Sequence, residues 1–551
     1  MTNDFLSVNL VLESIMKDIN EKIEEAIKEL LSAKIADSKD LMLVKRKIAK
    51  KYGLDIFSNA EIIKGVQTLA QGLNPLLKKL LRKRAVRTMS GIAPVAVLTK
   101  PYPCPGKCAY CPTEKDVPQS YLSNEPAVMR AIRCGYNPFV QVQDRLRALI
   151  NNGHEPTKIE LIVIGGTWSY LPEKYKYWYV LNLFAAANQF CHSREGGNLG
   201  EKKAISPITK IPAFAGMTRG ELKNLLIKEQ KKNENTKYQI IGLTLETRPD
   251  YICDEELLQM RTFGCTRVEL GVQHLDDKIL KLNKRGHGVK EIADATALLK
   301  NYGFKVTYHI MPGLPGSTPA RDFKMYRQLF TDERFQPDQI KFYPCVVTKG
   351  SLLYHWWKQG KYKPYTDKQL RELIIKCKKI TPEYVRIIRL IRDIPGESIV
   401  AGNKITNLRQ VMQDEGVVCR CIRCREVGDF RFSIFDFRFN IINYNASGGK
   451  EYFIQAVSKE DKLLGFCRLR LVDEGLAIVR ELHVYGELVS VGGEKKVQHA
   501  GLGKILLGEA EEIAKNENYD ILKIISGVGV RGYYRKLGYR LHETYMEKKL
   551  K

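Results

Sequence analysis

Apolar residues recur along this chain at two spacings, and each spacing predicts a different kind of element. Over residues 1–74 the spacing is helical, as at Ile19, Ile23, Ile27 and Leu30. From about residue 90 to 345, short apolar stretches such as "KIELIVIGG", "YQIIGLTLE" and "KVTYHIMPGLPG" alternate with amphipathic segments such as "KEIADATALLKNYG". Repeated β–α units predict a parallel sheet, closed or partly closed into a barrel.

The same pattern divides the chain into regions. We predict a helical region over 1–89, a partial TIM-like (β/α) barrel over 90–395, a cysteine-containing connector over 396–430 and a separate α/β domain over 431–551. The fold class is therefore α/β. Residues 191–220 interrupt the barrel region without periodicity, and "HSREGGN" and "IPAFAGMT" resemble peptides encoded by palindromic repeats inserted into bacterial genes. We interpret them as a disordered surface insertion, which makes Cys191 and His192 poor ligand candidates.

The composition is that of a soluble globular protein, with 44% hydrophobic and 27% charged residues. The N-terminus carries acids among its apolar residues, unlike a signal peptide, and no run approaches the roughly 18 apolar residues of a membrane span. We therefore expect a cytoplasmic protein without a membrane partner. Its 13 cysteines should stay reduced and serve as metal ligands or buried residues.

The net charge of +27 favours a polyanionic partner, and nucleic acid before an anionic membrane. Six basic residues crowd the stretch "NPLLKKLLRKRAVRTMSG", namely Lys78, Lys79, Arg82, Lys83, Arg84 and Arg87. They could form an ordinary solvated helix face. Their position just before a cysteine-rich loop favours a role in gripping phosphates.

That loop, "CPGKCAYCP", contains Cys104, Cys108 and Cys111 at x3 and x2 spacing. Three thiolates so close together can bind three irons of a 4Fe–4S cluster and leave the fourth iron open. A structural zinc needs four ligands, and an electron-transfer cluster is usually held by four cysteines. The alternative is a zinc loop that borrows a distant histidine.

The loop resembles that of the radical S-adenosylmethionine (SAM) superfamily, which has this spacing and an aromatic residue, here Tyr110, beside the last cysteine. The resemblance implies that the open iron binds the methionine part of SAM, and that one electron cleaves SAM to a 5′-deoxyadenosyl radical. It also implies that the loop "IGGT", with Gly165, Gly166 and Thr167, holds the methionine amino group.

A second motif, "QHAGLGKILLGEAEEIAK", places Gln498, Gly501 and Gly503 at the start of a helix. Glycines let the backbone approach a ligand, and free N–H groups at a helix N-terminus bind pyrophosphate. With "AIVRELHVYG" before it and "IISGVGVRGYYRKLGY" after it, the motif resembles the acetyl-CoA site of the GNAT acetyltransferases typified by histone acetyltransferases. In those enzymes the "YYRKLGY" segment supplies a tyrosine near the thioester sulfur.

A radical SAM domain followed by a GNAT domain resembles the Elongator catalytic subunit family, the tRNA uridine acetyltransferases. The blocks "LTLETRPDY", "ELGVQHLDD", "IRDIPGESIVAGNKITNLRQ" and "CIRCREVG" add to this resemblance. It implies that the 5′-deoxyadenosyl radical takes a hydrogen from the methyl group of acetyl-CoA. The carbon radical then adds to carbon 5 of the wobble uridine in tRNA, and thioester hydrolysis leaves 5-carboxymethyluridine.

The resemblance also implies site residues. Lys158 would contact acetyl-CoA from the barrel and Tyr534, beside Tyr533, would lie at the sulfur. The other expected acetyl-CoA contacts are Glu481, Leu482, His483 and Val484 on a strand and Leu502, Gly503 and Lys504 on the pyrophosphate loop. Lys158 could instead be an exposed strand-end lysine, and His483 a packed strand histidine.

A third cysteine group, Cys419, Cys421 and Cys424, lies in the connector and suits a structural zinc that needs one histidine. We expect His355 to be the fourth ligand, with His309 the alternative; free thiols are the other interpretation. Two other functions compete with tRNA modification. One is a protein lysine acetyltransferase with a structural iron–sulfur domain, and the other is a non-catalytic RNA-binding factor.

Overall fold

The computed structural model describes residues 2–69, 72–82, 91–190, 216–405, 407–427, 437–473, 475–486 and 501–550. The chain splits into two compact units. The first consists of residues 1–88, 144–156 and 190–209, and the second holds the rest, including both large sheets. Some predicted features lie outside the described residues, namely Lys83, Arg84, Arg87, Gln498 and residues 191–215 of the predicted insertion.

Four helices form the N-terminal part of the first unit, as predicted: α1 (Thr2–Ser32), α2 (Ser38–Tyr52), α3 (Asn59–Thr68) and α4 (Pro75–Leu81). Asp37 caps α2 by accepting from the backbone N–H groups of Lys39 and Asp40, which helix termini otherwise leave unpaired. Of the apolar residues in the helical pattern, Ile27 and Leu30 are completely buried in one core, Ile23 is partly buried against it, and Ile19 is exposed. The basic stretch is helical only as far as Leu81 within the part described.

The second unit begins with a seven-stranded sheet in the order β1-β2-β3-β4-β5-β6-β8, with every pair parallel. This sheet is the half-barrel, and β7 and β9 form a small separate pair. The strands are β1 (Ala93–Leu98), β2 (Lys158–Ile164), β3 (Gln239–Thr247), β4 (Arg267–Gln273), β5 (Lys305–Ile310), β6 (Gln339–Phe342), β7 (Val347–Thr348), β8 (Arg386–Arg389) and β9 (Ile399–Ala401).

Helices cover one face of the half-barrel, as the β–α pattern predicts. On that face Tyr308 of β5 is completely buried and its hydroxyl meets Thr296 of the helix Val289–Asn301. The helices of this region are α5 (Pro126–Arg133), α6 (Pro138–Asn151), α7 (Glu173–Asn188), α8 (Arg219–Asn233), α9 (Asp254–Thr262), α10 (Asp277–Leu282), α11 (Val289–Asn301), α12 (Pro319–Thr331), α13 (Leu352–Lys358), α14 (Asp367–Lys379), α15 (Leu408–Asp414) and α16 (Ile422–Arg425).

The opposite face of the half-barrel is polar although it is buried. Glu269 of β4 accepts from His309 of β5 at 2.9 Å and from Lys341 of β6. The side chains of all three are less than a tenth exposed. Branched apolar residues usually fill the interior of such a barrel, so a charged interior is a departure that calls for a functional explanation.

The C-terminal sheet has the order β10-β11-β12-β13-β14-β16-β15. Its strands are β10 (Arg438–Ala446), β11 (Gly449–Val457), β12 (Leu463–Val472), β13 (Leu476–Val484), β14 (Ile521–Ile524), β15 (Arg540–His542) and β16 (Tyr545–Lys549), and its helices are α17 (Leu502–Asn516) and α18 (Arg531–Arg535). The parallel strands β13 and β14 pair only over Ala477–Val479, so the last five residues of β13 continue beyond that pairing.

The α/β fold class, a half-barrel followed by a second α/β sheet, is confirmed. The exact domain boundaries stay predictions. Within the residues described, no helix is both long and apolar enough to cross a membrane.

Candidate active site

The three-cysteine loop follows β1 at the carboxyl ends of the half-barrel strands. Its backbone is held from two sides, because Ala109 donates to the carbonyl of Asn283 at 3.0 Å and accepts from the N–H of Leu353 at 2.7 Å. Cys108 is buried, and Cys104 and Cys111 are half-buried. Local spacing and these two anchors together fix where the sulfurs lie.

The surroundings of the sulfurs suit an iron–sulfur cluster. The N–H of Gly106 donates to Cys104 Sγ and the Nη1 of Arg285 donates to Cys108 Sγ, both at 3.4 Å. Burial raises the pKa of Cys111 to about 12, so binding as a thiolate requires a cationic group. The three sulfurs are not gathered as tightly as ligands of one ion are, which agrees with thiolates on separate iron corners.

The predicted SAM loop lies beside the cysteine loop. Gly165 and Gly166 follow β2 with φ of 135° and 101°, a backbone conformation that favours glycine. A Cβ on Gly165 would overlap Thr99 Oγ1, so the loop approaches the end of β1 as only glycine allows. Thr167 Oγ1 is 3.9 Å from Cys104 Sγ. The structure therefore brings the two motifs together, as predicted.

Lys158 lies at the other end of the same strand. Lys158 is the first residue of β2, a seven-residue strand whose other end lies beside the cysteine loop. At about 3.3 Å per residue, the two ends of the strand are roughly 20 Å apart. Burial lowers the pKa of the Lys158 ammonium. Lys158 pairs in register with Gln239 of β3. Gln239 in turn packs against Gly529 of the C-terminal domain, so closely that a Cβ added to Gly529 would be 2.7 Å from the Cβ of Gln239. Lys158 therefore lies at the end of β2 next to the C-terminal sheet, and not at the cysteine-loop end.

The C-terminal sheet packs against the amino-terminal ends of the half-barrel strands. Arg480 of β13 donates to Asp338, just before β6, at 3.0 Å, and to the carbonyl of Phe304, just before β5, at 2.9 Å. Lys305, the first residue of β5, lies 3.4 Å from Glu481. The cysteine loop and the C-terminal domain thus occupy opposite ends of the half-barrel.

The predicted pyrophosphate turn has the expected form. Gly501, with φ of 88°, precedes the 15-residue helix α17, and Lys504 is exposed in its first turn. A Cβ on Gly503 would lie 2.9 Å from Tyr533 Oη and 3.6 Å from Val484 Cγ2. The end of β13 and Tyr533 therefore lie against this turn at a helix N-terminus, a place that suits pyrophosphate.

The strand residues expected at acetyl-CoA divide between two faces. Leu482 and Val484 pack toward α17. Glu481 and His483 point to the half-barrel, so their contact with acetyl-CoA would come from the backbone. Burial would raise the pKa of Glu481, but the charges of Lys305 and Arg468 outweigh it and lower the pKa to about 2. Burial lowers the pKa of His483 to about 4.

The two tyrosines of "YYRKLGY" have different surroundings. Tyr534 is 6% exposed and belongs to the core of the C-terminal domain. Tyr533 is 40% exposed and lies beside Gly503. The role predicted for Tyr534 at the thioester sulfur stays a prediction, and Tyr533 is the tyrosine that the geometry offers to a ligand.

The connector cysteines form a compact group. The sulfurs of Cys419, Cys421 and Cys424 lie within 4.8 Å of one another, and a tetrahedral zinc with bonds of about 2.3 Å needs ligand sulfurs about 3.8 Å apart. Hydrogen bonding with Cys419 holds the pKa of Cys421 well below its usual range. The structure does not bring the predicted histidines here, since His355 is exposed on α13 and His309 pairs with Glu269.

The buried polar face of the half-barrel is the feature that sequence reasoning missed. His309 also lies 3.6 Å from Glu246 at the end of β3, and Glu246 accepts from the hydroxyl of Tyr121 at 3.0 Å. Charged residues inside otherwise apolar strands, as in "RVELGVQ" and "QIKF", were the available signal. These groups line the half-barrel toward the end where the cysteine loop lies.

A parallel half-barrel with a three-cysteine loop at the carboxyl ends of its strands, joined to a sheet with a glycine turn before α17, defines a radical SAM enzyme fused to a GNAT acetyltransferase. Sequence models agree: the Radical SAM superfamily matches residues 102–329, the Radical SAM C-terminal domain 337–415 and the Acetyltransferase (GNAT) family 414–539.

Individual relatives are similar over most of the chain. The tRNA uridine(34) acetyltransferase of Dehalococcoides mccartyi is 43% identical over 85% of this chain and all of its own. Elongator complex protein 3 of Homo sapiens is 37% identical over 96% of this chain and 97% of its own. The solved structure of Methanocaldococcus infernus Elp3 with an N-terminal deletion is 36% identical, has a TM-score of 0.67 and covers 84% of this chain and all of its own. The chain belongs to the Elongator catalytic subunit family, the tRNA uridine(34) acetyltransferases.

Proposed function

We propose that this protein forms 5-carboxymethyluridine at the wobble uridine of tRNA, with SAM and acetyl-CoA as co-substrates. The observation that carries the proposal is the presence, in one compact unit, of the three-cysteine loop and the Gly501–Gly503 turn. The names of the relatives support the choice of tRNA and of uridine. Neither lysine acetylation nor RNA binding alone uses the cysteine loop.

At the cluster end, Cys104, Cys108 and Cys111 hold a 4Fe–4S cluster, and the loop Gly165–Thr167 places SAM against it. When bound, this pair supplies the radical that removes a hydrogen from the acetyl methyl group. The polar face then presents charged and hydrogen-bonding groups to a polar substrate beside the cluster.

At the other end, the backbone of Gly501–Lys504 binds the CoA pyrophosphate and Tyr533 lies against the same turn. Lys158 reaches the acyl group from the half-barrel side. Its lowered pKa suits a lysine that contacts a thioester in a partly buried place. Because the two ends are roughly 20 Å apart along β2, the acetyl group must leave Lys158 and move along the half-barrel before its methyl group can meet the radical at the cluster end.

The tRNA would be bound by the basic stretch from Lys78 to Arg87. Within the described part, Lys78 forms an ion pair with Glu155 at 2.5 Å and is 40% exposed. An exposed pair of this kind contributes little to stability, so a phosphate can replace the carboxylate at small cost.

Nucleoside mass spectrometry of tRNA tests this function. A strain that lacks the gene should lose 5-carboxymethyluridine, and the wild-type gene should restore it. Cys108→Ser should not restore it, because two thiolates hold a cluster weakly. Cys253→Ser, which alters an exposed cysteine outside both loops, is the matched control and should restore it fully.

The proposal fails if tRNA from the deletion strain keeps its modification, or if Cys108→Ser restores it. Loss of protein lysine acetylation with unchanged tRNA would favour the acetyltransferase alternative. In a reaction with acetyl-CoA deuterated in its methyl group, we expect deuterium in 5′-deoxyadenosine only when tRNA is present. If 5-carboxymethyluridine forms and no deuterium is found in 5′-deoxyadenosine, hydrogen removal from the methyl group of acetyl-CoA is excluded.

We propose further that Cys419, Cys421 and Cys424 bind a structural zinc. The support is the close approach of three sulfurs, which free thiols do not require. Elemental analysis should find one zinc per wild-type chain and a clear loss in Cys421→Ser. The control is Cys467→Ser, a completely buried cysteine elsewhere in the C-terminal sheet, which should keep its zinc. Equal zinc in both variants would contradict the assignment.

A further inference from the structure

Two buried guanidinium groups flank the three-cysteine loop. Arg285, 6% exposed, follows α10, and its Nη1 donates to Cys108 Sγ at 3.4 Å. Arg248, 5% exposed, follows β3, and two of its nitrogens donate to Asp250 at 2.9 and 2.8 Å. Its remaining nitrogen, Nη1, is buried with no hydrogen-bond partner in the described part of the chain.

Both groups are held in place by anchors outside the loop. The Nε and Nη2 of Arg285 donate to the carbonyl oxygen of Gly271, the first at 3.2 Å. A Cβ on Gly271 would overlap Arg285 Nη2, and a Cβ on Gly106 in the cysteine loop would overlap Arg248 Nη1. Glycine at these two positions is what lets the guanidinium groups come so close to the cysteines.

The Arg285 guanidinium contacts the Cys108 sulfur and the carbonyl oxygen of Gly271. No carboxylate in the described ranges forms an ion pair with it. A permanently charged, buried cation without a carboxylate partner is costly, and a Cys108 thiolate that holds a cluster would compensate it.

We propose that Arg285 is a positioning residue for the cluster: it donates to the Cys108 thiolate and raises the reduction potential of the cluster, while Arg248, paired with Asp250, packs beside Gly106 of the same loop. This proposal rests on the cluster assigned under the proposed function. One-electron reduction makes the cluster more negative, so a fixed cation and a hydrogen bond to a ligand sulfur favour the reduced form. The reduced form is the one that can pass an electron to SAM.

The test is a redox titration of the reconstituted full-length protein, followed by electron paramagnetic resonance, with iron and sulfide measured in every sample. We expect Arg285→Met to lower the equilibrium constant for one-electron reduction at least tenfold, which is a shift of about 59 mV to more negative potential. Arg285→Lys, which keeps the charge, should stay near the wild type. Arg285→Gln, which keeps only a neutral donor, should lie between them.

The matched control is Arg261→Met. Arg261 is 1% exposed and, like Arg285, donates to backbone carbonyls, those of Cys265 and Thr544, but it has no contact with the cysteine loop. The reduction potential of the cluster in Arg261→Met should equal that of the wild type. If Arg285→Met holds no cluster, the comparison of Arg285→Gln with Arg285→Lys decides, because the neutral variant must have the lower potential.

Each result has one meaning. Equal potentials in the Gln and Lys variants, or an Arg285→Met cluster with the wild-type potential, would overturn the role of Arg285 and leave the proposed function intact. A wild-type protein that takes up no iron and sulfide would overturn the proposed function and this inference together. A shift of the same size in Arg261→Met would show that loss of any buried arginine suffices, and would also overturn it.

Discussion

Removing one carboxylate from the interface between the half-barrel and the C-terminal sheet should destabilise both. Asp338 is completely buried, and three cations surround it: Arg480 at 3.0 Å, Arg468 at 3.6 Å and Lys300 at 3.9 Å. Asp338→Asn keeps the shape of the side chain but leaves these cations with less compensation. Breaking a buried ion pair by removing one partner costs about 3–5 kcal/mol, and we expect a loss in that range.

Removing one of the cations instead of the carboxylate should lower the free energy of unfolding by less. Arg480→Met removes hydrogen bonds to Asp338 and Glu451, but both carboxylates keep other cations, since Lys300 and Arg470 lie 3.3 and 3.2 Å from Glu451. We expect about 2–3 kcal/mol from the lost charged hydrogen bonds. The two changes should not be additive in the double variant, because they act on one network.

Urea unfolding measures these losses with two probes. All four tryptophans lie between residues 168 and 357, so their fluorescence reports the half-barrel, whereas far-ultraviolet circular dichroism reports both sheets. The two curves should coincide in the wild type and separate in Asp338→Asn. The control is Asp294→Asn, which breaks an exposed pair with Lys290 and should change the stability by no more than about 0.5 kcal/mol. A loss below 1 kcal/mol in Asp338→Asn would refute the reasoning.

Four other changes have defined outcomes. Gly503→Leu should abolish CoA binding, measured by calorimetry, while the cluster absorbance stays. Tyr533→Phe should weaken acetyl-CoA binding more than Tyr534→Phe, because only Tyr533 borders the turn; equal effects would count against this geometry. The lowered pKa of Glu481 adds stability above its ordinary value of 4.5 that disappears as pH falls toward 2, so acid unfolding should be shallower in Glu481→Gln. Reversing the charge of Lys79, Arg82 and Arg84 should weaken tRNA binding and reduce the log–log salt slope by about 0.7–0.9 per lost phosphate contact.

The sequence predicted features that depend on neighbours along the chain. The spacing of Cys104, Cys108 and Cys111, the glycines of "IGGT" and the turn before α17 are local, and the structure confirms the elements that carry them. Charged groups that come from different strands, such as Glu269, were not predicted as a set, because only the register of the sheet brings them together.

The sequence also did not predict that one polar face of the C-terminal sheet is buried. The two arginines of "CRLRLV" alternate with apolar residues, which is the period of a strand with one solvent-exposed face, and "VRELHV" on the next strand carries a third arginine. In the structure Arg468, Arg470 and Arg480 are among the most buried side chains, because that face packs against the half-barrel. Periodicity determines which residues share a face of a strand, and it does not tell what covers that face.

The charged residues inside the half-barrel and those between it and the C-terminal sheet share one property. Each is buried among residues that are distant in sequence, which is why neither group was predicted. Burying Glu269 and Asp338 costs desolvation that apolar residues would avoid, and buried ion pairs rarely repay it in stability. At Asp338 the network joins the two catalytic domains at the amino-terminal ends of the strands. At Glu269 it lines the half-barrel between those ends and the cysteine loop. The reaction proposed above, which would bring a thioester from one end to a radical at the other, would need fixed domains and a polar interior. The buried charges meet both requirements, which accounts for a cost that stability alone would not justify.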